Sequence, residues 1–204
     1  MNKIYISLMA KKGYREESDS IGIVYVPRKA LYGAQTQRAI DNFPISGIRM
    51  DFPFTKSFVS SLGLIKDAAA RANNTLKLLP NKKARSISKA SKEVWQEKHH
   101  KEFPIDVFQT GSGTSSNMNA NEVIANLASA FSGEEVSPND DVNMSQSSND
   151  VIPTAIKISA YMDLSKKLYP NLENLINEID KKAFSHRGII KTGRTHLMDA
   201  MPID

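Results

Sequence analysis

Asn143-Met144-Ser145-Gln146-Ser147-Ser148-Asn149-Asp150 is a polar run broken by one methionine, and a long apolar-periodic segment follows it at once. Apolar residues recur at Val151, Ala155, Ile158 and Met162, then at Tyr161, Leu164, Leu168, Leu172, Leu175 and Ile179. Steps of three and four stack them on one helix face with a slight shift of stripe, which predicts one long helix over about 150–184. Ser148, Asn149 or Asp150 can cap it, and Pro170 should kink it without ending it. Free backbone N–H groups and the positive end of the helix dipole make its polar lip a seat for an anion. So long an amphipathic helix needs partners for its stripe, supplied by further chain or by other subunits.

The bulk of the sequence sets wide limits. With 40% hydrophobic and 24% charged residues in 204, the chain reads as soluble and globular. Its net charge of +5 is spread over pairs such as Lys82-Lys83 and Lys166-Lys167, with no long basic block. Tracking nucleic-acid phosphates needs a concentrated basic face, so no nucleic-acid partner is expected, whereas anionic metabolites suit the charge. The absence of cysteine excludes disulfides, thiolate metal sites and cysteine nucleophiles. The apolar patch within residues 1–10 is too short for a secretory segment, and no run approaches a membrane span. These features point to a cytoplasmic protein with no membrane partner, a mitochondrial matrix being the alternative.

Taken in order, residues 14–31 alternate and are broken by Pro27, which predicts an extended arm with a strand or two. Tyr32-Gly33-Ala34-Gln35-Thr36-Gln37-Arg38 reads as a loop entering a short helix, with a site-lining role as the alternative. Pro53–Ala72 is expected to be helical on the spacing of Phe58, Leu62, Ile65 and Ala69. A second helix is expected from Pro80-Asn81 to about His99, punctuated by Ile87, Ala90, Val94 and Trp95. The His99-His100 pair reads as a solvated helix end, since adjacent side chains point apart and chelate poorly. Residues 109–122 crowd two glycines and five hydroxyl residues together, as a flexible linker or as a loop that wraps an anion before a helix. The apolar sequel Val123, Ile124, Leu127 and Ala128 argues against a linker, with Asn117 or Asn119 as cap candidates. No Gly-Lys-Ser/Thr closes the run, so it is not a nucleotide P-loop. Near the end, His196 stands beside Arg194 and Thr195 in a polar loop between apolar elements, a setting that favours a catalytic or substrate-orienting role.

Together these segments carry a resemblance. Gly111-Ser112-Gly113-Thr114-Ser115-Ser116-Asn117-Met118-Asn119, Ser145-Gln146-Ser147-Ser148-Asn149-Asp150 and Gly193-Arg194-Thr195-His196-Leu197-Met198-Asp199-Ala200 are similar to the first signatures of class II fumarase, within the fumarase/aspartase superfamily. Leu31–Arg38 and Pro138–Asn143 agree, and the likeness runs from about Arg15 to Ile203. The Thr195-His196 pair and Ser147-Ser148-Asn149 favour fumarase over aspartase. The resemblance implies a mostly α fold of the fumarase/aspartase kind, a small N-terminal domain followed by the first long helices of a central bundle. Its expected divisions are an extension at 1–14 that is disordered, an N-terminal lyase domain at 15–142, and the start of the helical domain at 143–204. It implies reversible hydration of fumarate to L-malate with no metal and no organic cofactor. Ser112, Gly113, Thr114, Ser147, Ser148, Asn149 and Thr195 would bind this small dicarboxylate, and His196 would be the acid/base residue. Proton loss beside a carboxylate turns that group into a dianionic, aci-carboxylate-like one, which hydroxyls, amides and helix N-termini can stabilise. Asn139 and Asp140 correspond to a secondary dicarboxylate site, although Val136-Ser137 stands where many fumarases have Val-His, so anion binding there should be weaker.

The family builds its sites from several subunits of a homotetramer, so the resemblance also implies a homo-oligomer. The family's later loop, with its serine, lysine and asparagine, and the Glu that would orient His196 have no counterpart in these 204 residues. Where the family tends to continue Thr-Leu-Gly-Gln after Met201-Pro202-Ile203, this sequence has Asp204, as a split or truncated gene would. Two alternatives follow: a catalytically inert remnant or assembly partner, and an aspartase-like ammonia lyase.

Overall fold

The computed structural model describes residues 13–50 and 55–204. Most of the expected extension at 1–14, and the expected helix start at Pro53, therefore lie outside the described residues. The chain forms two compact units, one up to Ala160 and one from Tyr161 to Asp204.

In the first unit, β1 (Tyr14–Asp19) and β2 (Gly22–Pro27) pair antiparallel, Tyr14 opposite Pro27 and Asp19 opposite Gly22. Asp19 Oδ1 accepts from the Ile21 and Gly22 N–H groups at 2.9 and 3.2 Å, which closes the turn. Helix α1 (Ala34–Asn42) follows, as the loop-into-helix reading expects. Its start is held from a distance: the buried Glu122 carboxylate accepts from the N–H groups of Gly33, Gln35 and Thr36 and from the Thr36 hydroxyl, at 2.6–3.1 Å. A carboxylate at a helix N-terminus meets both free donors and the dipole. Burial still pushes the Glu122 carboxyl above its ordinary range, against the pull of those bonds.

Helices α2 (Lys56–Thr75), α3 (Asn81–Trp95) and α4 (Thr114–Ser132) build the core with the start of α5 (Ser148–Asp163). Val59, Leu62, Ile87, Ala90, Val94, Val123, Ile124, Ala128, Val151 and Ala155 are buried together there; in α2 the expected Phe58, Ile65 and Ala69 are only half-buried, because the inner face is turned to Val59, Leu62, Lys66 and Ala70. A Cβ on Gly63 would meet the Ser91 carbonyl and the Trp95 nitrogen at 2.8 Å, so α2 and α3 touch backbone to backbone. The second helix stops at Trp95 rather than His99, because Glu97 turns left-handed (φ 63°). His99 then pairs with Glu93 at 2.7 Å. Between Ser132 and α5 the chain makes a π turn, Pro138–Val142, and no described helix is long and apolar enough to cross a membrane.

Two cap assignments need correction. Helix α4 begins at Thr114, with Asn117 and Asn119 buried inside it. Its first turn is tied by Gln109, whose Oε1 accepts from Ser116 N at 2.9 Å and whose Nε2 donates to Ser116 Oγ at 2.5 Å. Helix α5 is capped by Ser147, whose carbonyl accepts from Asp150 and Val151 N–H groups and whose hydroxyl accepts from Asn149 N at 3.2 Å. Ser148, Asn149 and Asp150 are its first helical residues.

The second unit holds a π turn (Leu164–Leu168), helix α6 (Tyr169–Ser185) and a hairpin of β3 (Lys191–Thr195) and β4 (Met198–Ile203). The π turn ends at Leu168, two residues before Pro170, and Asp163, Leu168 and Tyr169 all keep right-handed helical dihedrals, so the helical path runs on into α6 and the proline does not end it. The expected terminal loop is in fact this hairpin, with His196-Leu197 at its tip and Leu197 left-handed (φ 62°). A Cβ on Gly193 would meet the Met201 carbonyl at 2.8 Å, and the strand register shifts at that point.

Candidate active site

Two of the three polar segments come together at the starts of α4 and α5. Gly113, the cap position of α4, is left-handed (φ 76°), and a Cβ there would meet Ile152 of α5 at 2.8 Å. Only glycine combines that dihedral with that contact, so the residue sets how near the first loop lies to α5. Beside it the hydroxyls of Ser112 and Thr114 are 3.1 Å apart, and Thr110 Oγ1 is 3.2 Å from Ser112 Oγ. All three residues are exposed.

Asn117 joins the segments directly. Its Nδ2 donates to Ser148 Oγ at 2.9 Å and to Asn143 Oδ1 at 3.2 Å. Beneath, the wholly buried Lys66 donates from Nζ to Asn143 Oδ1 at 2.9 Å and to Gln146 Oε1 at 2.8 Å. Gln146 Nε2 in turn donates to the Val142 and Met144 carbonyls, and Asn73 Nδ2 donates to the Met144 carbonyl. The 143–147 turn is therefore gripped from below, and its outer rim carries Ser147 and Asn149 exposed and Ser148 half-buried. Ser147 and Ser148 each accept through oxygen, which leaves each hydroxyl hydrogen to donate. Two helix N-termini and a ring of small donors suit an anion of a few atoms.

The third segment lies in the second unit. Thr195 and His196 are exposed at the hairpin tip, where Thr195 Oγ1 is 3.5 Å from the Met198 carbonyl. Asn139 and Asp140 are exposed in the π turn of the first unit. Ser137 Oγ accepts from Asp140 N and donates to Asp140 Oδ2, both at 3.1 Å, so this serine caps the turn. Among the described residues, the cleft that Asn139 lines also carries Glu17, Asp19, Glu122 and Glu135 and no lysine or arginine. Arg15 pairs with Glu17 at 2.6 Å and Arg38 with Asp19 at 2.7 Å, and Glu122 is held by backbone donors, so Glu135 is the carboxylate left to oppose a dianion there.

Lys66 lies outside the three polar segments, whereas Asn117, Asn143 and Gln146 stand within or beside them without an expected part in binding. Lys66 carries a signal in the sequence, because it sits four residues from both Leu62 and Ala70, in the buried stripe of α2. Asn117 was read as a cap, which hid its place at the centre of the network.

A family model described as Lyase matches residues 22–204. The chain belongs to this lyase family. It is 54% identical to the class II fumarate hydratase of Halobacterium salinarum over 93% of this chain and 41% of that protein. It is also 54% identical to that of Xylella fastidiosa, over 93% of this chain and 39% of the relative. Among solved structures, a fumarate lyase:delta crystallin from Brucella melitensis superposes with a TM-score of 0.87 at 41% identity, covering 93% of this chain and 45% of that one. A class II fumarase from Schistosoma mansoni gives 0.86 at 41% identity, over 93% and 40%. The lyase chain thus has the fumarase/aspartase fold and is mostly α, and it spans about two fifths of the length of the curated relatives it matches. Its three polar signatures all fall within the matched residues.

Proposed function

We propose that this lyase takes part in the reversible hydration of fumarate to L-malate, as part of a class II fumarase that works as a homotetramer in the cytoplasm. The observation that carries the reading is Asn117, whose N–H donates to the Gly113 carbonyl of the Ser112–Thr114 loop and whose Nδ2 donates to Ser148 of the Ser147–Asn149 rim, which makes one donor-rich lip between two helix N-termini. The likeness to proteins named class II fumarate hydratase selects the dicarboxylate. Ser112, Thr114, Ser147, Ser148 and Asn149 hold the two carboxylates; Gly113 brings the loop close. As a proton leaves the carbon beside one carboxylate, charge builds on its oxygens, and hydroxyls already fixed there lower the barrier without reorganising. His196 is the acid/base residue, with Thr195 beside it as a further donor. Family sites are shared between subunits, and an exposed hairpin tip suits a residue that serves a neighbouring copy. In the same proposal the division of the family fold falls at 142/143, and Asn139 and Asp140 belong to a weaker secondary site.

The test is loss of fumarate ultraviolet absorbance with malate formation by the intact protein. His196→Asn should lower turnover by about 10²-fold or more while the melting temperature stays within about 2 °C. Unchanged kinetics would remove His196 from the reaction. Ammonia release from aspartate without hydration of fumarate would assign the chain to the aspartase branch.

A further inference from the structure

Lys66 is wholly buried, and no carboxylate lies within ion-pair distance of it among the described residues. Every charged group on the elements packed around α2 is engaged elsewhere or exposed. On α2 itself, Asp67 is bonded to Ser88 and paired with Arg71. The π turn offers Asp141, paired with Lys83 of α3 at 2.6 Å, and Asp140, held by Ser137. Of the other charged residues of α3, Lys82 pairs with Glu134, Glu93 with His99, Lys89 lies over the Phe131 ring, and Arg85 and Lys92 are exposed. The sole charge on α4, Glu122, is held by the backbone of residues 33–36, and Asp150 of α5 is exposed. An isolated buried cation is costly unless something nearby compensates it. Here the compensation from protein is two neutral amide oxygens. Those oxygens belong to Asn143 and Gln146, so the ammonium is linked to the lip by three successive hydrogen bonds: Lys66 to Asn143, Asn117 to Asn143, Asn117 to Ser148.

We propose that Lys66 is a positioning residue with a second, electrostatic duty: its ammonium fixes the Asn143–Gln146 turn and serves as the buried counter-charge of a dicarboxylate bound at the lip, so that anion binding and Lys66 protonation favour each other. The inference rests on the dicarboxylate reading above and goes beyond it by giving the site a charge that no lip residue carries. Burial lowers the Lys66 ammonium to about 7, which places its titration where binding can move it. Reciprocity then works in both directions: a bound dianion retains the proton, and the proton retains the dianion.

The test uses the intact protein, fumarate as the probe, and isotope-labelled lysines followed by NMR. One lysine should titrate near neutral pH, be missing in Lys66→Arg, and move its midpoint upward when fumarate is added. In parallel, fumarate affinity should weaken about tenfold between about pH 6 and about pH 8.5, and far less in Lys66→Arg, whose charge is permanent. A pin with a purely structural role would not shift that midpoint. Three results overturn the inference while leaving the fumarate reading standing: no lysine titrating near neutrality, a midpoint indifferent to bound fumarate, or coincident affinity profiles of wild type and Lys66→Arg. If Lys66→Arg does not fold, the wild-type midpoint with and without fumarate decides alone. A protein that takes up no fumarate at any pH overturns the reading itself, and this inference falls with it.

Discussion

At the scale of single residues, the groups that shape the lip are those with no room to change. Gly113 must be left-handed and must lie against Ile152 with no Cβ between them. Gly113→Ala should therefore cost about 1–3 kcal/mol in chemical denaturation, from dihedral strain together with overpacking. Loss below a few tenths of a kcal/mol would mean that the loop can move away from α5 freely. Lys66 makes a different prediction, about pH. Its folded value of about 7 lies below the ordinary 10.5, so between those values the unfolded chain binds more protons than the native one. Stability from this group therefore rises as pH climbs from about 7 to about 10, by on the order of a few kcal/mol, and the full penalty is present below 7. Denaturation midpoints across that range should show the rise in wild type and lose it in Lys66→Met, and parallel curves would place the ammonium in contact with water.

At the scale of elements, side chains far away in sequence decide where helices start. Gln109 ties the first turn of α4, and Glu122 ties that of α1. Gln109→Ala should cost about 1–2 kcal/mol and speed hydrogen exchange at the Ser116 amide, which its Oε1 now protects. Slow exchange at Ser116 in that variant would show another acceptor in its place. This dependence explains what could be read in advance. The core helices were legible because Ile87, Ala90, Val94, Val123, Ile124 and Ala128 follow helical spacing, and burial of a stripe is a local signal. The polar segments were legible as site candidates by composition and resemblance, and two of them do meet. The α4 cap was misassigned because a local rule ranks the nearest Asn, while the turn is tied by Gln109 from the loop ahead of it; at α5 the cap falls one residue earlier than expected, at Ser147. The terminal hairpin was hidden by the polar Gly193-Arg194-Thr195-His196 stretch and by the register shift at Gly193, which breaks simple alternation. Lys66 escaped because a lysine in an apolar stripe is normally discounted as a face-edge residue that snorkels.

At the scale of the whole molecule, the second unit leaves Leu164, Leu168, Leu172, Leu175 and Ile179 exposed at spacings of three and four. This is a helix stripe with the pattern of a packed bundle, and burying each such side chain contributes about 1.5–3 kcal/mol. A contiguous row of this length in water favours association, which agrees with the homotetramer proposed above. The intact protein should therefore sediment as an oligomer at micromolar concentration. Leu172→Glu with Leu175→Glu places two charges in the middle of the row and should shift the protein to smaller species, while Phe103, Ile105 and the rest of the first unit's core remain folded by near-ultraviolet circular dichroism. If His196 serves a site completed by another copy, the same double substitution should also reduce fumarate turnover by about 10²-fold or more, and adding back an oligomer-competent His196→Asn protein should not restore it. A dissociated variant that keeps full turnover would show that one copy completes its own site, and would separate the assembly from the chemistry.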